Sequence, residues 1–148
     1  MFATIPLPPV NIDFSNVLFE EALHAGRRRK FWTSITHRKT QLRDLVEYKA
    51  QMRNGSFQGQ QEVAIDAICG SESRQKEFDD RFNPLSEQIR QRWQSIARAI
   101  DQGVNLPPVE LLRVGKIYFV RDGHHRVSVA RALGWKTINA NVTVWNTV

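Results

Sequence analysis

Along the first sixty residues the apolar positions recur at intervals of three and four. Val17, Leu18, Ala22 and Ala25, with Glu21 on the same face, predict a helix over residues 15–34, which Gly26 weakens by about 1 kcal/mol relative to alanine. Leu42, Leu45, Val46 and Met52 form a second stripe. They predict a helix over 40–53, stopped by Asn54-Gly55. The polar stretch NGSFQGQQ that follows reads as a linker.

After residue 60 the pattern changes. EVAIDAI (62–68) partly alternates, is rich in β-branched residues, and predicts a strand. A polar stretch, CGSESRQKEFDDRF, leads to Asn83-Pro84, an N-cap followed by the residue best suited to a first helical position. Leu85, Ile89, Trp93, Ile96 and Ile100 then recur at helical spacing until Gly103. PPVELLRVGKIYFVRD predicts a hairpin turning at Gly115-Lys116, GHHRVSVARALG a short helix ending at Gly134, and TINANVTV a strand alternating at Ile138, Ala140, Val142 and Val144. The expected fold class is therefore α+β. A unit spanning 61–148 (strand, helix, β-hairpin, helix, strand) follows an N-terminal extension and helical arm over 1–60, with no internal repeat.

Composition changes this picture only a little. With 148 residues, 41% of them hydrophobic and 24% charged, the chain can bury a modest core and is not disordered by composition. MFATIPLPPV at the start lacks the basic region of a signal peptide, and no apolar run is long enough for a membrane span. Cys69 is the single cysteine, which excludes an intrachain disulfide and favours a reducing compartment; the expected location is cytoplasmic. Within VAIDAIC it reads as a small buried hydrophobe. A net charge of +6 and a pI near 10.0 admit a polyanionic partner. The densest basic run is Arg27, Arg28, Arg29 and Lys30, followed by Phe31 and Trp32. It is a candidate nucleic-acid contact, weighed against a solvated helix face whose aromatics pack inward.

The stretch with most chemistry is DGHHR. The first N–H groups of a helix lack intrahelical partners and carry partial positive charge. Gly123 lets a ligand approach the backbone closely or the chain turn with φ > 0, Arg126 can grip a phosphate through two N–H groups, and His124 and His125 can donate to its oxygens. Asp122 has two readings. It caps the helix, or it orients His or Arg and holds Mg²⁺ through water. No Cys, Asp or Glu stands at a familiar ligand spacing, and His24 and His37 lie far off, so no metal site is expected. Ser128 has no base partner at motif spacing and reads as a small helix residue.

From Glu62 to Val144 the chain resembles the ParB/sulfiredoxin-like superfamily, most closely the ParB N-terminal nuclease-like domain. EVAIDAI is similar to its opening strand and GSESRQ to its polar loop leading to an arginine, here Arg74; the helix from Pro84 to Ile100 is similar to its long amphipathic helix. DGHHRVSVARALG is similar to its phosphate turn and following helix, with small residues at Ala130 and Ala132. The resemblance implies a nucleotide-binding fold whose turn grips the phosphates of ATP, ADP or CTP, with Mg²⁺ alongside.

Members of the superfamily diverge in use. Sulfiredoxins bind ATP and use a cysteine in the turn, where this chain has His124, which argues against reductase chemistry. Partition proteins bind CTP and carry a helix-turn-helix domain afterwards. This chain ends at Val148, so that domain is expected to be absent and any DNA contact to come from the basic arm. A third branch resembles free-serine kinases that use ADP as phosphoryl donor, and DGHHR suits it. Such a kinase needs a carboxylate base, for which Glu72 is the best-placed residue, with Asp66 and Glu62 as alternatives. The expected function is thus nucleotide-phosphate binding, with phosphotransfer as the enzymatic version. The alternative is a non-catalytic regulator binding DNA or a protein through its arm, with a homodimer open to either. The arm's apolar stripe must be buried on the domain or across such a dimer.

Overall fold

The computed structural model describes residues 13–37, 39–73 and 76–147. Among these, six strands form one mixed sheet: β1 (Arg43–Asp44), β2 (Met52–Ala64), β3 (Ile68–Ser71), β4 (Val109–Val114), β5 (Ile117–Asp122) and β6 (Thr137–Thr147). Their spatial order is β1-β3-β5-β4-β6-β2. Three α-helices accompany them: α1 (Phe14–Thr36), α2 (Arg90–Asp101) and α3 (His124–Ala132). The class is α+β, and helix, hairpin, helix and strand follow one another from α2 to β6 as the pattern predicted.

The strands' two-residue period sorts side chains between two layers. Val109 and Leu111 of β4, Val120 of β5, and Ile138, Ala140 and Val142 of β6 face the helices. There they meet Phe19 and Leu23 of α1, Trp93 and Ala97 of α2, and Val127 and Ala130 of α3. Leu112, Val114 and Phe119 point the other way and pack on Leu45. The arm is therefore part of the main core. Phe19 meets Trp93 edge-on at 5.3 Å between ring centroids, and both are fully buried. Each aromatic of this kind contributes about 1.5–3 kcal/mol.

Several local expectations are corrected. The buried face of α1 is Ser15, Phe19, Ala22, Leu23 and Gly26, whereas Val17 is exposed. No α-helix spans 40–53. Residues Arg43–Asp44 pair parallel with β3, Leu45–Gln51 form a 3₁₀ helix, and β2 begins at Met52. Leu45 and Tyr48 are three apart, the 3₁₀ repeat, and both reach the second layer, with Tyr48 5.2 Å from Phe119.

The presumed linker NGSFQGQQ is the middle of β2, paired antiparallel with β6 from Gly55 opposite Trp145 to Gln61 opposite Ala140. The strand runs through residues 60 and 61 without a break. It is polar because it is an edge strand, held by backbone pairing, with side chains that are mostly exposed. EVAIDAI is likewise not one strand; a 3₁₀ turn at Ile65–Ala67 divides β2 from β3. Nor does Asn83 cap the next helix. Ser86 accepts from the Gln88 N–H and caps a 3₁₀ turn, Glu87–Ile89, that runs into α2.

Polar contacts lock α1 onto α2. Arg90 bonds Glu20, Glu87 and Asn16 and lies 4.6 Å over the Phe19 ring; Arg98 bonds Asp13 at 2.9 Å. Gly26 has its own reason, since a Cβ there would lie 2.7 Å from the Pro84 carbonyl oxygen. Gly26→Ala is therefore expected to destabilise the protein by about 1–2 kcal/mol, despite alanine's better helix propensity, in a denaturant titration. Hydrogen bonds from Ser15 and then Arg98 hold the Asp13 carboxyl below its ordinary range, and Arg90 does the same for Glu87. Carboxyls lowered on folding contribute stability that is complete above the unfolded value of roughly 4 and is lost as pH falls through the folded value. Melting temperatures between about pH 6 and 3 should fall less steeply for the double variant Asp13→Asn, Glu87→Gln than for the native chain.

Candidate functional site

Parallel pairing decides which residues meet at the DGHHR turn. β3 and β5 run side by side with Ser71 opposite Val120, so both strands end at the same edge of the sheet. Crevices outside such carboxyl ends are where open α/β sheets hold ligands. Beyond β5 the chain turns at Gly123, whose φ of 103° is left-handed. A Cβ at this position would also stand 2.6 Å from Val109 Cγ1, so glycine is required on two counts. No side chain caps α3. Asp122 instead pairs with Arg126 at 3.1 Å and is 72% exposed, which favours the orienting role over the cap.

The basic side chains of the turn are more deeply committed than the sequence suggests. Arg126 donates through Nη1 to the carbonyls of Pro107 and Pro108 and through Nη2 to Asp122. It thus braces the segment before β4 against α3. His124 is 4% exposed, with Nε2 2.7 Å from Ser71 Oγ, and its ring lies nearly parallel to Phe78. His125 is 6% exposed and stands edge-on to Phe78 at 5.5 Å. Between this turn and Arg92 and Ile96 of α2 is a cleft of about 60 Å³. Arg92 was not singled out from the sequence. It precedes Trp93 on an amphipathic helix, and only the crossing of α2 over the turn gives it significance.

Three carboxylates were candidates for a base. Glu72 lies at the turn's edge; its N–H donates to the Val120 carbonyl at 3.0 Å and its side chain accepts from Arg121 Nε at 3.1 Å. Asp66 pairs with Arg131 in the last turn of α3, and Glu62 lies opposite Asn139 on β2. Arg74 lies outside the described residues. Ser128 is structural: buried, it accepts from Trp93 Nε1 at 2.8 Å and donates to the Phe82 carbonyl at 2.5 Å. Burial pushes the Cys69 thiol up, and nearby Arg43 only partly offsets this. Among the described residues no three His, Cys, Asp or Glu side chains gather as metal ligands.

In the basic run, Arg29 sits between Asp79 and Asp80, 2.8 Å from each. Arg27, Arg28 and Lys30 are exposed. The expectation that the adjacent aromatics pack inward is overturned, since Phe31 is 62% and Trp32 61% exposed. They lie beyond the stretch of α1 that α2 and the sheet cover.

No protein-family model and no curated protein matches the chain. Among solved structures it is similar to a sulfiredoxin from Arabidopsis thaliana, with 18% identity and a TM-score of 0.45, over 59% of this chain and 86% of that one. It is also similar to a Pnob8-like ParB-N domain, with 13% identity and a TM-score of 0.42, over 66% of this chain and 33% of that one. No helix among the described residues is long and apolar enough to cross a membrane.

Ser128→Ala should cost about 2–3 kcal/mol in equilibrium unfolding, because it leaves the Trp93 N–H and the Phe82 carbonyl buried without partners. Cys69, its thiolate disfavoured, should be alkylated by iodoacetamide near neutral pH more slowly than a free thiol with a pKa of about 8.5.

Proposed function

We propose that the turn from Asp122 to Arg126 binds the phosphate groups of a nucleotide. The observation that carries this reading is the uncapped amino end of α3 facing a cleft that Arg92 also lines. A helix N-terminus with a neighbouring guanidinium attracts a dianion through the dipole and through charge-assisted hydrogen bonds. The cleft, about 60 Å³, has room for roughly four waters or one phosphate group. Sugar and base would then lie outside it.

The buried rings of His124 and His125 would shape the turn, while the amino end of the helix and Arg92 meet the phosphate. Arg126 would bring its Nη2 if Asp122 releases it. The exposed Asp122 carboxylate would serve Mg²⁺ through water, a metal that supplies neutralisation of phosphate charge. For transfer of the phosphoryl group to a hydroxyl, Glu72 would take the proton, since it lies at the same sheet edge.

Thermal unfolding with Mg²⁺ and ATP, ADP or CTP in turn tests this. A ligand at about one hundred times its dissociation constant stabilises the native state by about 2.7 kcal/mol, so one nucleotide should raise the melting temperature clearly. Arg92→Ala is the discriminating variant, because Arg92 is exposed and makes no ion pair among the described residues, so its loss should abolish the shift without lowering the unliganded melting point. No shift in the native protein with any of the three at millimolar concentration would overturn the reading.

A further inference from the structure

The carboxyl half of α1 extends past the core and presents an apolar and basic face that the fold leaves uncovered. Phe31, Trp32 and Ile35 are 62%, 61% and 55% exposed. Trp32 is steadied edge-on by Phe31, with 5.9 Å between ring centroids, and forms one wall of a groove of about 910 Å³. Arg28, Lys39 and Arg81 line the same groove, and among the described residues none of their side chains makes an ion pair. Its carboxylate, Asp80, shares Arg29 with Asp79, 2.8 Å from each, so two carboxylates stand against the four cations Arg28, Arg29, Lys39 and Arg81 and the groove keeps an excess of positive charge. Arg27 and Lys30 add exposed cations on the same stretch of helix.

We infer that this groove binds single-stranded nucleic acid, with the phosphates against Arg28, Lys39 and Arg81 and an unpaired base stacked on Trp32. The pairing of cations with an accessible indole decides among partners. A second copy of the chain would set like charges against one another across the contact. Duplex would satisfy the cations but hide its base faces from Trp32, whereas a single strand offers both charge and π surface. The inference is independent of the phosphate reading of the α3 turn.

Fluorescence anisotropy with labelled oligo(dT) and oligo(U) of about 15 nucleotides, and with a duplex of equal length, tests it. Binding to one or both single strands should be tighter than to duplex and should weaken linearly on a log–log salt plot. Trp32→Ala should lower affinity about tenfold and Trp32→Phe much less. Arg28→Ala and Lys39→Ala should each flatten the salt slope by about 0.7. Phe57→Ala, which removes an equally exposed aromatic from β2, should change nothing. Circular dichroism would verify folding of each variant.

No binding at about 50 mM salt would overturn the inference. So would equal affinity for duplex together with indifference to Trp32→Ala. Sedimentation showing self-association that Trp32→Ala abolishes would assign the face to a second copy and overturn it as well.

Discussion

A single buried carboxylate ties the parts of this molecule together. Asp79 is 1% exposed and accepts four hydrogen bonds, from Arg29 Nη1, the N–H groups of Arg81 and Asn83, and Asn83 Nδ2, all between 2.8 and 3.0 Å. Burying an ion costs several kcal/mol unless its lone pairs are satisfied, and here the satisfying groups come from both α1 and the loop itself. The loop so fixed carries Phe78 and Phe82, the aromatic walls against which His124 and His125 rest. Phe82 even adopts a left-handed backbone, φ 55°, a strain tolerated because its carbonyl receives the Ser128 hydroxyl. The shape of the α3 turn thus depends on an arginine nearly a hundred residues away in sequence.

The same interaction divides the basic run by purpose. Arg29 is turned inward to compensate Asp79 and Asp80, and Arg27, Arg28 and Lys30 face solvent. A run of four like charges is accordingly not one patch. One member stabilises the fold and three contribute to surface potential. In the α3 turn the ordering is similar. His124 and His125 line the cleft but are almost wholly buried, while Arg92, from a helix that carries no motif, lines it from the opposite side with an exposed side chain.

Several features were legible without coordinates because they rest on local physics. The β4–β5 hairpin follows from Gly115 at a two-residue turn, and Gly115 does take a positive φ of 63°. Alternation in β6 matched burial at Ile138, Ala140 and Val142, the helical spacing of Ile89 and Trp93 matched theirs, and Gly123 was recognised as a position where the backbone needs glycine. Where the sequence misled, long-range pairing was the reason. Residues 54–61 have linker composition, yet antiparallel partners in β6 make them strand, since backbone hydrogen bonds do not depend on apolar side chains. Leu42, Leu45 and Val46 have helical spacing, yet the parallel bridge to β3 interrupts it.

The sequence by itself determined the α+β class, the order of elements from α2 to β6, and the glycine turn opening α3, because each depends on contacts between residues close in the chain. Only the tertiary structure decided that Glu72 bonds Arg121 while Asp66 is tied to Arg131, that Arg92 faces the cleft, and that Trp32 is exposed while Phe19 is buried. Those outcomes depend on which strands pair and where α1 runs out of surface to cover. Both arise from contacts distant in sequence, whose energies no local pattern encodes.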